Sequence, residues 1–184
     1  MATFMQMQDD ILDEMQDTGA ITRDHVKKAI LRSISEYEGE YFWFNYQKIT
    51  FSTVPGQEIY GSADNASIPN IFEIETVKRV GFIDDLVPVE DDEIEESQTG
   101  AITGVPYNYS RSGTDIRLFP IPSGVETIRV SGYIKLAELS ADTDTNAWTT
   151  DGETLIRQSA KRRIAMDVLY ADELAARCKL AEDE

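Results

Sequence analysis

The sequence is poor in the residues that most chemistry needs. It has one cysteine, Cys178, and one histidine, His25. A single thiol excludes an internal disulfide and fits folding in a reducing compartment. A zinc site would have to recruit carboxylates around two residues on different elements, and a nucleophile–histidine arrangement would have to use the same pair. Basic residues are scarce, 17 against 34 acidic, for a net charge of −17. Nucleic-acid binders need Lys and Arg to displace counterions from phosphate, so sustained contact with DNA or an anionic membrane is not expected. No apolar run approaches the roughly 20 residues that span a bilayer. Glycine never falls into a G-x-G-x-x-G or G-K-[ST] pattern, which removes a nucleotide cradle. The opening MATFMQMQDDILDEM is acidic and interrupted by Gln and Asp, unlike a secretory signal or a transit peptide.

What is present is a globular composition with a switch of period. The apolar residues Phe4, Met7, Ile11, Leu12 and Met15 fall on one helical stripe, and Asp17-Thr18-Gly19 reads as its end. Methionines on this stripe suggest an adaptable surface, so Met7, Ile11 and Met15 are candidates for a subunit contact as well as for a core. Thr22 reads as an N-cap with Asp24 in the first turn. Val26, Ala29, Ile30, Ile34, Tyr37, Tyr41 and Phe44 then predict a helix of five to six turns. The run ends in the aromatic knot Tyr41, Phe42, Trp43, Phe44 and Tyr46, after which Ile49, Phe51 and Val54 alternate up to the Pro55-Gly56 turn.

The middle of the chain is predicted to be β. Candidate strands are Lys48–Val54, Glu58–Tyr60, Ile71–Phe82, Asp85–Val89, Tyr107–Arg111, Asp115–Phe119 and Val125–Leu136, separated by Pro/Gly/Asn turn chemistry. Ser112-Gly113-Thr114 reads as a hairpin turn. Glu90–Ser97 reads as one acidic helical turn or a solvated loop. Helix returns near Thr150-Asp151, with Ile156, Ala160, Ile164 and Val168 on one face and Leu155, Met166 and Leu169 on another. A final helix is expected at Asp172–Glu182. The fold class is therefore α+β, with long N- and C-terminal helices packed as a bundle and a β-hairpin/sheet insertion between them. The chain is expected to form one subunit: 1–46 helical, 47–138 β-rich, 150–184 helical.

Charge is uneven. Residues 61–110 hold 11 acidic and two basic groups, whereas residues 150–184 hold six basic and eight acidic ones. The one basic cluster is Arg157, Lys161, Arg162 and Arg163. It reads either as helix pairs with Glu153 and Asp167 or as an intersubunit patch for an acidic surface such as Asp91, Asp92 and Glu95 on the next copy. That acidic run could in principle supply paired carboxylates for glycoside hydrolysis, but adjacent carboxylates are more often a solvated face. Asp142, Asp144 and Asn146, with Glu153 eleven positions after the first, partly copy a calcium loop. Ala147 stands where that loop needs glycine, and a polar loop whose side chains bond local backbone fits better.

Several stretches, in order, resemble the head-to-tail adaptor (connector) family of tailed bacteriophages. YFWFNYQKITFSTVPGQEIY is similar to the family's helix exit and first hairpin, and IFEIETVKRVGF to its next strand. VPYNYSRSGTDIRLFPIPSG is similar to its later hairpin, and SGYIKLAELSADTDTNAW with TLIRQSAKRRIAMDVLYADELAARC to its C-terminal block. The resemblance covers about Ile21 to Cys178. It implies a structural role with no cofactor, no metal and no membrane. It also implies a homo-oligomeric ring, a dodecamer below the portal protein, through which genomic DNA passes without specific binding and on which tail or nozzle proteins dock. Two readings from other classes stand beside it: a small acidic hydrolase of cell-wall glycan, and an interaction module of a bacterial host.

Overall fold

Thr3 opens the first helix, α1 (Phe4–Glu14), by a reciprocal cap. Its hydroxyl accepts from the Gln6 N–H, and its own N–H donates to the Gln6 side chain. The amides of Phe4 and Met5, which the helix itself cannot satisfy, donate to the carbonyls of Asp144 and Asp142 at 2.9 Å. Phe4, Met7 and Ile11 are fully buried, each contributing about 1.5–3 kcal/mol by transfer from water. A computed structural model describes residues 2–15, 19–97 and 101–183. The helix end expected at Asp17-Thr18 lies outside the described residues.

Contacts divide the chain into two compact units, Met1–Glu40 with Leu136–Glu184, and Tyr41–Lys135. In the first unit, α1 and α2 (Arg23–Tyr37) pack with α4 (Glu153–Asp167) and α5 (Asp172–Glu182). Val26, Ala29 and Ile30 of α2 are buried, as are Ile156, Ala160 and Ile164 of α4. Thr22 caps α2, with Asp24 in its first turn, as the sequence suggests. Before α4, Asn146 caps a short 3-10 turn (Ala147–Thr149) that seats the fully buried Trp148.

The second unit holds the strands. An antiparallel sheet has the order β1 (Tyr46–Ser52), β9 (Thr127–Ile134), β3 (Ile71–Arg79). A second has the order β2 (Ile59–Tyr60), β7 (Asp115–Phe119), β6 (Asn108–Ser112), β4 (Val87–Pro88). A two-residue parallel pair, β5 (Thr103–Gly104) with β8 (Ile121–Pro122), was not legible in the sequence. Ile49, Phe51, Tyr60, Val77, Leu118 and Ile128 share one core. Inside it the Tyr60 hydroxyl accepts from the Val54 N–H at 3.1 Å and donates to the Gln57 carbonyl at 2.8 Å, fixing the Pro55-Gly56 turn. Gly113, at φ +63°, closes the β6–β7 hairpin where expected. β3 carries register shifts opposite β9, where a side chain at Gly132 would lie 2.1 Å from the Glu73 carbonyl oxygen.

The expected long terminal helices bundled around a sheet insertion are not what the chain forms. Among the described residues the helices are short, 15 residues at most. They are also interspersed with strands: α3 (Asp91–Ser97) lies among them. The misjudged element is α2, which stops at Tyr37 and not at Phe44. Gly39 follows the C-cap, and glycine weakens a continuing helix. Tyr41 and Phe44 keep helical spacing by coincidence. Tyr41 instead packs its ring on Phe72 and Tyr133 of the sheet, at centroid distances of 6.1 and 4.9 Å.

Candidate functional site

The basic cluster on α4 is engaged within its own unit. Arg157 pairs with Glu153 at 2.7 Å, the helical spacing expected, and also with Glu14. Lys161 reaches Glu14 at 2.5 Å. Arg162 donates to Glu182 at 2.7 Å, and Arg163 to Glu36 at 2.5 Å. Asp167, the other expected partner, faces Arg32 at 3.7 Å instead. Burial pushes the Lys161 ammonium below its ordinary value, the nearby Cys178 raising it and Arg157 lowering it. Cys178 is itself buried, and burial pushes its thiol up.

Glu182 is the centre of this arrangement and was not singled out in the sequence, where it reads as one more terminal acid. Its carboxylate is only 1% exposed and accepts from Tyr37 as well as from Arg162. Burial pushes it up, but the bonds from Tyr37 and Arg162 outweigh burial and hold it below the usual range. The Tyr37 hydroxyl moves the other way, raised by burial and by the adjacent carboxylate.

The acidic run has a similar hidden anchor. Arg117 on β7 has a side chain 7% exposed and meets Asp91 at 3.2 Å, Glu58 at 3.4 Å and Glu95 at 3.5 Å. Asp91 also accepts from the Ser110 hydroxyl at 2.7 Å. Burial raises the Asp91 carboxyl, and the bonds from Ser110, Arg117 and Ser112 bring it net below its ordinary value. Asp92, Glu93 and Glu96 stand exposed on α3, whose one buried side chain is Ile94.

Of the methionine stripe, Met7 and Ile11 lie in the core of the first unit, and Met15 is half-buried. The candidate calcium ligands are held by protein groups. The Asp144 carboxylate accepts from the amides of Ser140 (2.8 Å) and Ala141 (2.7 Å), and Asn146 accepts from the Trp148 amide at 2.9 Å. The Asp144 carboxyl is lowered by these backbone bonds. Asp142 lies near Gln8 at 3.4 Å and Lys27 at 3.6 Å. No group of three or more His, Cys, Asp or Glu among the described residues is placed to hold a metal. His25 belongs to the α2 cap, its Nδ1 accepting from the Thr22 amide at 3.4 Å.

Two further features bear on contacts with other proteins. In the second unit the β3–β4 turn carries Phe82 and Ile83 into solvent, Ile83 with 96% of its surface exposed. In the first unit a cleft of about 240 Å³ runs beside α2 and α4. His25, Lys28, Arg32 and Arg163 stand around it, over Ala29, Ile164 and Val168.

The chain is thus an α+β protein with its charge clusters engaged within the fold and apolar side chains exposed beside them. The chain belongs to the SU10 adaptor protein family, whose model matches residues 2–182. This is the phage adaptor class that the sequence resembles. It makes the chain a phage adaptor and a virion component. No curated protein is similar enough to the chain to be matched to it. No described helix is long and apolar enough to cross a membrane.

Proposed function

We propose that this adaptor joins head to tail by forming a ring of about twelve copies below the portal. The ring extends the DNA channel and gives tail or nozzle proteins a docking surface. The observation that carries this reading is the family match over residues 2–182. The mechanism is surface complementarity without turnover. A closed ring needs a heterologous interface, so opposite flanks of each copy carry different, complementary patches.

The acidity of the chain has a role in this reading. With a net charge of −17, an acidic excess facing the channel repels the phosphate backbone and lets DNA slide without sticking. Asp92, Glu93, Glu95 and Glu96 are the exposed carboxylates best suited to that surface. Particles with these four neutralised should eject or package DNA more slowly, and unchanged passage would count against the channel role.

The test of the function is the mass of the protein alone and after mixing with the portal ring of the same phage. A complex with about twelve copies per portal is expected. A monomer that ignores the portal would overturn the reading.

A further inference from the structure

We propose that the Phe82-Ile83-Asp84 turn of one copy seats in the cationic cleft beside α2 and α4 of the next. This rests on the ring reading above and names the two patches that its heterologous interface requires.

The turn has the properties of a knob without a socket. Gly81, at φ +93°, reverses the chain after β3 and projects the following residues outward. Phe82 is half-exposed, with the Arg79 guanidinium stacked 3.8 Å from its ring centre. That contact stiffens the turn and leaves Ile83 as the tip. An isoleucine with 96% exposure contributes nothing to its own fold. Asp84 follows it, exposed and with no ion pair among the described residues, whereas Asp85 is held by Lys78 at 3.3 Å. The tip therefore presents a branched apolar side chain beside a carboxylate.

The cleft offers the opposite. Its apolar floor of Ala29, Ile164 and Val168 suits a branched aliphatic group, and its volume is about 240 Å³. Lys28, Arg32 and Arg163 make its rim cationic in a chain that is otherwise strongly acidic, with Asp167 the one carboxylate among the lining residues. Arg163 is held by Glu36 at 2.5 Å, but the pairs of Arg32 and Lys28 are exchangeable. Arg32 meets Asp167 only at 3.7 Å, and the Arg32 and Lys28 side chains are both largely exposed. Exposed pairs of this kind contribute little, so an incoming carboxylate displaces them at small cost. Ile83 would fill the floor and Asp84 would meet Arg32. Because tip and cleft are different surfaces, the contact is head-to-tail and propagates from copy to copy.

The experiment uses the full-length chain with its portal. Ile83→Cys and Val168→Cys are placed together in a Cys178→Ser background and treated with a short bismaleimide once the ring has formed. A ladder of interchain products, absent from either single-cysteine chain, is expected. In parallel, Ile83→Asp should weaken assembly by about tenfold or more, and Asp84→Arg should weaken it until Arg32→Asp is added. Circular dichroism should leave the tip variants indistinguishable from wild type, since an exposed turn supports no core.

Wild-type assembly with no interchain ladder, and with Ile83→Asp assembling normally, overturns the inference while leaving the ring intact. Crosslinking of residue 83 within its own chain, or to the portal or a tail protein, overturns it by naming another occupant. A wild-type chain that never assembles overturns the ring reading and this contact with it.

Discussion

Tyr37, the last residue of α2, donates its phenolic proton to Glu182, the last residue of α5. The bond joins residues 145 positions apart and buries a carboxylate that would otherwise be solvated. Arg162 supplies the compensating charge.

Replacing Glu182 by alanine should therefore cost about 2 kcal/mol, the typical worth of hydrogen bonds to a charged group. Urea unfolding at neutral pH measures it. An unchanged midpoint would show that the terminal turn of α5 does not hold α2.

The same contact sets a pH dependence. The Glu182 carboxyl is lowered in the fold, so its contribution is complete above the ordinary value of 4.5 and is lost as the pH falls through the lower folded value. The difference in melting temperature between wild type and Glu182→Gln should accordingly narrow on acidification. The Tyr37 hydroxyl is raised, so its contribution is complete below the ordinary value of 10.0 and is lost as the pH rises through the folded value. Tyr37→Phe should lose the alkaline part of the profile and weaken the acid part, because its hydroxyl also helps to hold the Glu182 carboxyl low.

Arg117→Ala should destabilise the second unit by about 3 kcal/mol, because it leaves Asp91, Glu58 and Glu95 facing one another without their cation. Glu58 and Asp91 are partly exposed, so water recovers some of the loss. Hydrogen exchange should report the change first at α3, whose start is held through Asp91.

Gly132→Ala should be the most damaging single methyl addition, costing about 3 kcal/mol or more, because the new carbon falls on the Glu73 carbonyl where neither strand can give way. Gly39→Ala is the control. Its added carbon meets nothing within 4 Å, and its effect should be near zero.

Asp144→Ala should unseat the loop that receives the first amides of α1, at a cost of about 1 kcal/mol. Calcium should not raise the melting temperature of the wild-type chain, because backbone amides already hold that carboxylate. A rise that depends on Asp142 and Asp144 would restore the metal reading.

Local chemistry was the legible part of this protein. The Thr22 cap, the Gly113 hairpin turn, strand β7 and helix α5 were all written in short-range patterns. The family was also legible, because several turn-and-packing stretches occur in the right order. The extent of α2 was not. Aromatic residues at helical spacing look alike whether they continue a helix or turn onto a sheet, and only the position of Phe72 and Tyr133 decides. Arg117 and Glu182 were invisible for a related reason. A charged residue becomes an anchor through partners far away in sequence, and neither carries a local signature of burial. The charge clusters drew attention because they were dense, yet in the fold the isolated Arg117 gathers three carboxylates, as many as Arg157 of the basic cluster.

The division of the chain has a consequence for its manufacture. On the ribosome, residues 41–135 emerge complete and can fold as soon as they clear the exit tunnel. The helices α1 and α2 emerge earlier and can meet each other, but their main packing surface on α4 comes only later. At ordinary elongation speeds their apolar faces wait, solvent-exposed, for on the order of ten seconds. A nascent chain stalled once residue 135 has cleared the tunnel would carry a finished sheet and two helices without α4, the species most in need of a chaperone. The time taken to translate residues 41–152 therefore sets how long those faces stay exposed, quite apart from the stability of the finished form.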